Sequence, residues 1–172
     1  WEFNDFQRKN RTITDVYEPG STFKAISLSV LLNEGICKED DLVDVENGKY
    51  KFGKKFIHDT HKHRFLTVKG VMEQSSNIGM AKLIQNLNGE TYYKYLRDFG
   101  FGTITSVSLP GEVNGNLPLP SSWSKITKTY MSFGYGVSVT PLQLATAFCS
   151  IVNGGILYEP QILRKQLDKN GN

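Results

Sequence analysis

Residues 17–24 read Tyr17-Glu18-Pro19-Gly20-Ser21-Thr22-Phe23-Lys24. Glu18-Pro19-Gly20 is a turn signal. The stretch from Ser21 to Leu32 is mostly apolar (Phe23, Ile26, Leu28, Val30, Leu31, Leu32), the pattern of a buried helix, and Gly35 stops it. Ser21 opens this helix, and Lys24 lies three residues on, so both occupy one helical face. A serine hydroxyl becomes a nucleophile when a neighbouring base takes its proton. A lysine can be that base once burial or positive potential lowers its pKa. The free N–H groups at a helix start can stabilise an oxyanion, and Gly20 keeps the approach to Ser21 open. The spacing alone is a weak signal, because an ordinary N-cap serine produces it too. Ser122-Trp123-Ser124-Lys125 repeats it with no apolar helix behind it and reads as accidental.

A second polar group stands at a break between two helical stretches. From Thr67, the residues Val68, Val71 and Met72 recur on one face until Ser75-Ser76-Asn77 interrupts. The next stretch carries Ile78, Leu83, Ile84 and Leu87 and is closed by Asn88-Gly89. A helix–helix turn favours Ser and Asn without any chemistry. In the functional reading, Ser75 passes a proton between Lys24 and a leaving group, while Asn77 holds a substrate amide with its paired donor and acceptor. Further along, Thr91 to Phe99 forms a short helix ended by Gly100, and residues 100–125 form a Gly-, Pro- and Ser-rich loop. Thr140-Pro141-Leu142-Gln143 combines a capping box with Pro at the first helical position and opens a helix to about Asn153. Residues 38–66 are charged and Gly-punctuated, with a hairpin predicted around Asn47-Gly48.

Composition sets broad limits. The 172 residues suit one compact domain, and the near-average charged fraction of 22% excludes a disordered chain. The net charge of +3 is modest, and Lys51, Lys54, Lys55, Lys62 and Arg64 read as a solvated face rather than a nucleic-acid footprint. No apolar run is long enough to span a membrane. Trp1 begins neither with an initiator Met nor a signal peptide, which suggests a piece of a larger protein. Cys37 and Cys149 read as buried or partly buried free thiols rather than a disulfide. His58, Asp59, His61 and His63 have metal-ligand residue types but read as a solvated loop, with no metal or cofactor expected. Gly134-Tyr135-Gly136 lacks the rest of a phosphate-binding loop, and Tyr92, Tyr93, Tyr95 and Phe99 read as helix packing.

Taken together, the motifs are similar to those of class B penicillin-binding proteins. Serine β-lactamases and penicillin-binding proteins share Ser-x-x-Lys, then Ser-x-Asn, then Lys-Thr-Gly. Here the first is Ser21 to Lys24 and the second Ser75 to Asn77, in that order. Tyr17 to Lys24, Ser75 to Gly79 (SSNIG), Leu109 to Glu112 (LPGE), Ser132 to Gly136 (SFGYG) and Val139 to Ala145 (VTPLQLA) extend the likeness over Arg11 to Pro160. The SFGYG wording leans towards the septal, cell-division branch.

The resemblance implies an α/β transpeptidase fold, of which residues 1–172 supply an incomplete, mainly helical portion lacking most of the central sheet. It implies a peptidoglycan D,D-transpeptidase with Ser21 as nucleophile, Lys24 as base, Ser75 as proton relay and Asn77 positioning the substrate. The implied partners are peptidoglycan stem peptides, β-lactam antibiotics and, in the full-length protein, a division-machinery glycosyltransferase and scaffold proteins. The implied location is the extracytoplasmic face of the bacterial membrane, with an N-terminal anchor. The sequence departs from the pattern in having no Lys-Thr-Gly or Lys-Ser-Gly; Lys128-Thr129-Tyr130 precedes SFGYG, whereas the third motif follows the VTPLQLA helix. Little activity is expected of the fragment alone. Two rivals are a β-lactam sensor or silent binding domain, and a serine β-lactamase. The latter needs a second base, for which only Glu90 and Glu112 stand in the relevant region.

Overall fold

The structure, a computed structural model, describes residues 9–163. After the short α1 (Arg11–Thr14) the chain reaches the Glu-Pro-Gly turn. The helix predicted from Ser21 starts as a tight 3-10 turn, Gly20–Phe23, and continues without a break as α2 (Lys24–Asn33). Phe23, Ile26, Val30 and Leu31 are all buried, so α2 is the axis of the core. Gly20 is needed less for open approach than for its backbone, which sits at φ +59°.

Residues 38–66 build two small antiparallel sheets. β1 (Leu42–Asp44) pairs with β4 (Phe65–Thr67), and β2 (Lys49–Phe52) pairs with β3 (Lys55–His58). The predicted hairpin exists, but Phe52 faces Lys55 across a two-residue turn at Gly53-Lys54. Asn47-Gly48 lies instead at the entry to β2, in a 3-10 turn where Asn47 has φ +52°. An Asn-Gly pair signals left-handed backbone, and a chain turning into a strand uses that geometry as readily as a hairpin does.

Four helices follow: α3 (Val68–Glu73), α4 (Asn77–Leu83), α5 (Gly89–Asp98) and α6 (Thr127–Met131). Val68 and Val71 are buried, whereas Met72 turns outward. Asn88-Gly89 does not close a helix but opens α5, because the Asn88 side chain caps the N–H groups of Glu90 and Thr91. Tyr92 is buried, and Tyr92 and Tyr93 both meet the Trp123 ring edge-on. The last helix, α7 (Pro141–Val152), carries the predicted capping box between Thr140 and Gln143. Cys37 is a buried free thiol, but Cys149 lies on the exposed side of α7, a correction to its reading as buried or partly buried. Helical periodicity in an apolar segment does not say which face looks outward.

α2 and α5 end in the same way. Gly35 N–H donates to Leu32 O and Ile36 N–H to Leu31 O; Gly100 and Phe101 bond Arg97 and Leu96 in the same pattern. Both glycines adopt positive φ, which a residue with a Cβ adopts at a penalty. α3 closes with the same pair of bonds, Ser75 N–H to Met72 O (3.1 Å) and Ser76 N–H to Val71 O (2.9 Å). Its left-handed residue, however, is Ser75, at φ +52°.

The turn before Ser21 is laced to a segment more than a hundred residues later. Tyr17 and Val139 exchange backbone hydrogen bonds of 3.1 and 3.0 Å, and Gly20 N–H donates to Gly134 O at 3.0 Å. Gly136 N–H donates to the Glu18 carboxylate at 2.7 Å. A Cβ on Gly134 would fall inside the backbone of Gly20. Gly154, by contrast, has positive φ and open space around it. Gly134→Ala is therefore expected to destabilise the protein by about 3 kcal/mol or more, and Gly154→Ala by about 1 kcal/mol, as measured by chemical denaturation.

Candidate active site

α2 and the α3–α4 junction meet at Lys24. Its side chain is 1% exposed, yet all its ammonium donors have acceptors. Nζ donates to Ser21 Oγ at 3.2 Å, to Ser75 Oγ at 2.9 Å and to the Ser75 carbonyl oxygen. Ser21 and Ser75 themselves are exposed, so the two hydroxyls face solvent while the amine between them does not. Burial pushes the Lys24 ammonium down from 10.5 to about 8, and the negative charge of Asp59 works against that shift. At pH 7.4 about a fifth of such a group is neutral, against about one part in a thousand at the ordinary value. When neutral, the amine can accept the Ser21 proton while still donating to Ser75.

Ser75 reaches Lys24 because of its backbone. The left-handed turn after α3 directs both its carbonyl and its hydroxyl at the amine. Glycine would hold that turn with less strain but has no hydroxyl to offer. Next in the chain, Ser76 is buried and caps α4, its Oγ accepting from Gly79 N–H at 2.9 Å. Gly79 has no Cβ because Val71 of α3 packs where one would sit, so the two short helices close tightly on each other. Asn77 Nδ2 donates to the carbonyl of His58 at 3.1 Å, which fixes the amide against the end of β3. The structure therefore brings Ser21, Lys24 and Ser75 into direct contact and holds Asn77 one helix start away.

Sequence reasoning missed Asp59. Grouped with His58, His61 and His63 as a solvated loop, it instead turns towards the helix break. Its carboxylate accepts from the Ser76 hydroxyl and from Ile78 N–H, the latter at 3.0 Å. The only signal in the sequence was an acid immediately after a strand, which is too common to single out. The accidental pattern at Ser122–Lys125 lies elsewhere, with the Ser122 hydroxyl donating to Leu119 O. Among the described residues no three His, Cys, Asp or Glu side chains converge. A cavity of about 410 Å³ between α2, α5 and the end of α7 is lined by Asn33, Tyr95 and Leu157 and touches none of these residues.

A serine beside a buried, deprotonation-ready lysine, with a second serine in reach of the same amine, has the chemistry of a serine acyl-transfer centre. The chain belongs to the penicillin-binding protein transpeptidase domain family, whose pattern matches residues 2–171. It is 38% identical over 156 residues to the probable peptidoglycan D,D-transpeptidase PbpC of Pseudomonas aeruginosa, covering 91% of this chain and 28% of that protein. To the peptidoglycan D,D-transpeptidase FtsI of Escherichia coli K12 it is 38% identical over 157 residues, covering 91% and 26%. The transpeptidase domain of Burkholderia pseudomallei penicillin-binding protein 3 superposes with a TM-score of 0.89 at 34% identity, covering 92% of this chain and 48% of that one. The Mycobacterium tuberculosis penicillin-binding protein 3, solved with aztreonam, gives 0.87 at 32% identity, covering 98% and 39%. The chain thus spans about a quarter of the length of the curated relatives it matches. The fold is that of the penicillin-binding transpeptidases in a helix-rich portion, whose strands among the described residues form only two two-stranded sheets.

The Ser75 geometry gives a direct test. Ser75→Gly and Ser75→Ala both remove the hydroxyl, but only alanine keeps a Cβ in left-handed backbone. Ser75→Gly is expected to be the more stable of the two by about 1 kcal/mol in denaturant titrations.

Proposed function

We propose that this chain carries the acylation centre of a peptidoglycan D,D-transpeptidase, which cross-links stem peptides through an acyl-enzyme on Ser21. The observation that carries the reading is the contact of one buried amine with two exposed hydroxyls, Ser21 Oγ at 3.2 Å and Ser75 Oγ at 2.9 Å. Neutral Lys24 takes the Ser21 proton as Oγ attacks the carbonyl of the penultimate D-alanine. The tetrahedral oxyanion is stabilised by the N–H of Ser21, since the Gly20 N–H already serves Gly134 O. Collapse breaks the peptide bond. The proton passes from Lys24 through the Ser75 hydroxyl to the departing D-alanine amine, and Ser75 recovers a proton from Lys24. An amine of a neighbouring stem peptide then attacks the ester, returning the proton along the same path and freeing Ser21.

Asn77 positions the substrate amide. One Nδ2 hydrogen serves His58 O, which leaves the other and the carbonyl oxygen to meet a substrate amide. A β-lactam enters the same route, and its acyl-enzyme persists because no second base activates water. Residues 1–172 hold no Lys-Thr-Gly, the third motif of the family pattern. We place that protein at the extracytoplasmic face of the bacterial membrane, working with a glycosyltransferase and scaffold proteins of the division machinery. The likeness to FtsI supports the septal branch.

Intact-mass spectrometry before and after incubation with benzylpenicillin tests the reading. The intact protein should gain one drug mass, and Ser21→Ala should gain none. An adduct that survives Ser21→Ala, or rapid turnover without any adduct, would overturn it. Because neutral Lys24 is the base, the acylation rate should rise with pH to a midpoint near 8 and then level off.

A further inference from the structure

Lys24 and Asp59 grip consecutive residues. Lys24 holds the carbonyl and hydroxyl of Ser75, while Asp59 holds the hydroxyl of Ser76 and, two residues on, the N–H of Ile78. Ser76 in turn caps α4, and Asn77 is tied to His58, the residue before Asp59. The end of β3 thus clasps the first turn of α4 by three hydrogen bonds, and the strained Ser75 hangs directly from that clasp. The clasp works with the helix-end bonds, Ser75 N–H to Met72 O and Ser76 N–H to Val71 O, to hold Ser75 at φ +52°.

We propose that Asp59 is a positioning residue for acyl transfer: by holding the Ser76 hydroxyl and the Ile78 N–H, it fixes the turn that aims Ser75 at Lys24. Its charge also bears on the amine. Of the ionisable side chains on neighbouring elements, Glu18 is engaged with Gly136 N–H and Tyr92 with the Ser27 hydroxyl. His58 is exposed and contributes its backbone carbonyl. Ser21 and Ser75 are neutral. Asp59 is the carboxylate whose charge acts on the buried ammonium, opposing the effect of burial. The centre therefore contains a base whose ammonium form burial weakens and an acid that opposes this.

The inference rests on the acyl-transfer reading, and its test separates the two. Asp59→Asn keeps the size and one acceptor but loses the charge; Ser76→Ala loses the hydroxyl contact but keeps the charge. In the intact protein, acylation by a fluorescent penicillin is followed across pH 6 to 10, together with the carbon-13 resonance of Lys24 Cε, assigned with Lys24→Arg. In Asp59→Asn the plateau rate should fall about tenfold from misplacement of Ser75. Both the rate midpoint and the Lys24 titration should move down by about half a pH unit or more. In Ser76→Ala the plateau rate should fall while both midpoints stay at the wild-type value. A wild-type plateau rate in both Asp59→Asn and Ser76→Ala overturns the proposal. No acylation of the wild type would instead count against the acyl-transfer reading, while unchanged backbone amide resonances of Ser75 and Ser76 in Asp59→Asn would still overturn the role of Asp59.

Discussion

The site depends on one constraint: an ammonium that is almost wholly out of water must find acceptors for each of its protons. An unpaired charge in a protein interior costs several kcal/mol, so the chain around Lys24 is organised to prevent it. The acceptors come from two places, the 3-10 turn that carries Ser21 and the junction that carries Ser75. Satisfying Lys24 therefore docks α2 against the α3–α4 pair. The same docking leaves the amine poised between charge states, because burial has removed most of the preference for the proton. Packing and reactivity here have a single cause.

Strain at Ser75 follows from that constraint. α2 and α5 close with glycine where α3 closes with serine, although the hydrogen-bond pattern is the same at all three ends. The local rule is broken at the one terminus whose side chain meets the buried amine. A departure from good helix-end chemistry is thus better understood as a requirement of the site than as a defect of the fold.

Much of this was legible in the residues. Ser21 and Lys24 stand one helical turn apart in a segment whose apolar pattern announces burial, and the Thr140–Gln143 capping box fixes the start of α7. The Glu-Pro-Gly turn before Ser21 and the break at Ser75-Ser76-Asn77 were readable too. What escaped reading were cases where one local signal serves two structures. Asn47-Gly48 supplies left-handed backbone at a strand entry instead of a hairpin loop, and Asn88 caps a helix instead of ending one. Cys149 was misplaced because an apolar helix does not declare its outward face. Asp59 was missed for a different reason: its partners Ser76 and Ile78 are seventeen and nineteen positions away, and only tertiary contact reveals them.

The lacing of residues 17–20 to residues 134–139 has a consequence for when the site comes into being. Helix α2 is made from local contacts and can form early, but the turn that presents Ser21 is held by partners more than a hundred residues downstream. Closing so long a loop is entropically expensive and slow, so such pairings belong to the late stages of folding. A growing chain that has already displayed Ser21, Lys24 and Ser75 outside the ribosome still has an unfixed turn before Ser21. Only when Gly134 emerges and its carbonyl meets the amide of Gly20 does the order of synthesis give way to a finished centre. The turn that presents Ser21 is thereby fixed only after most of these residues have been made.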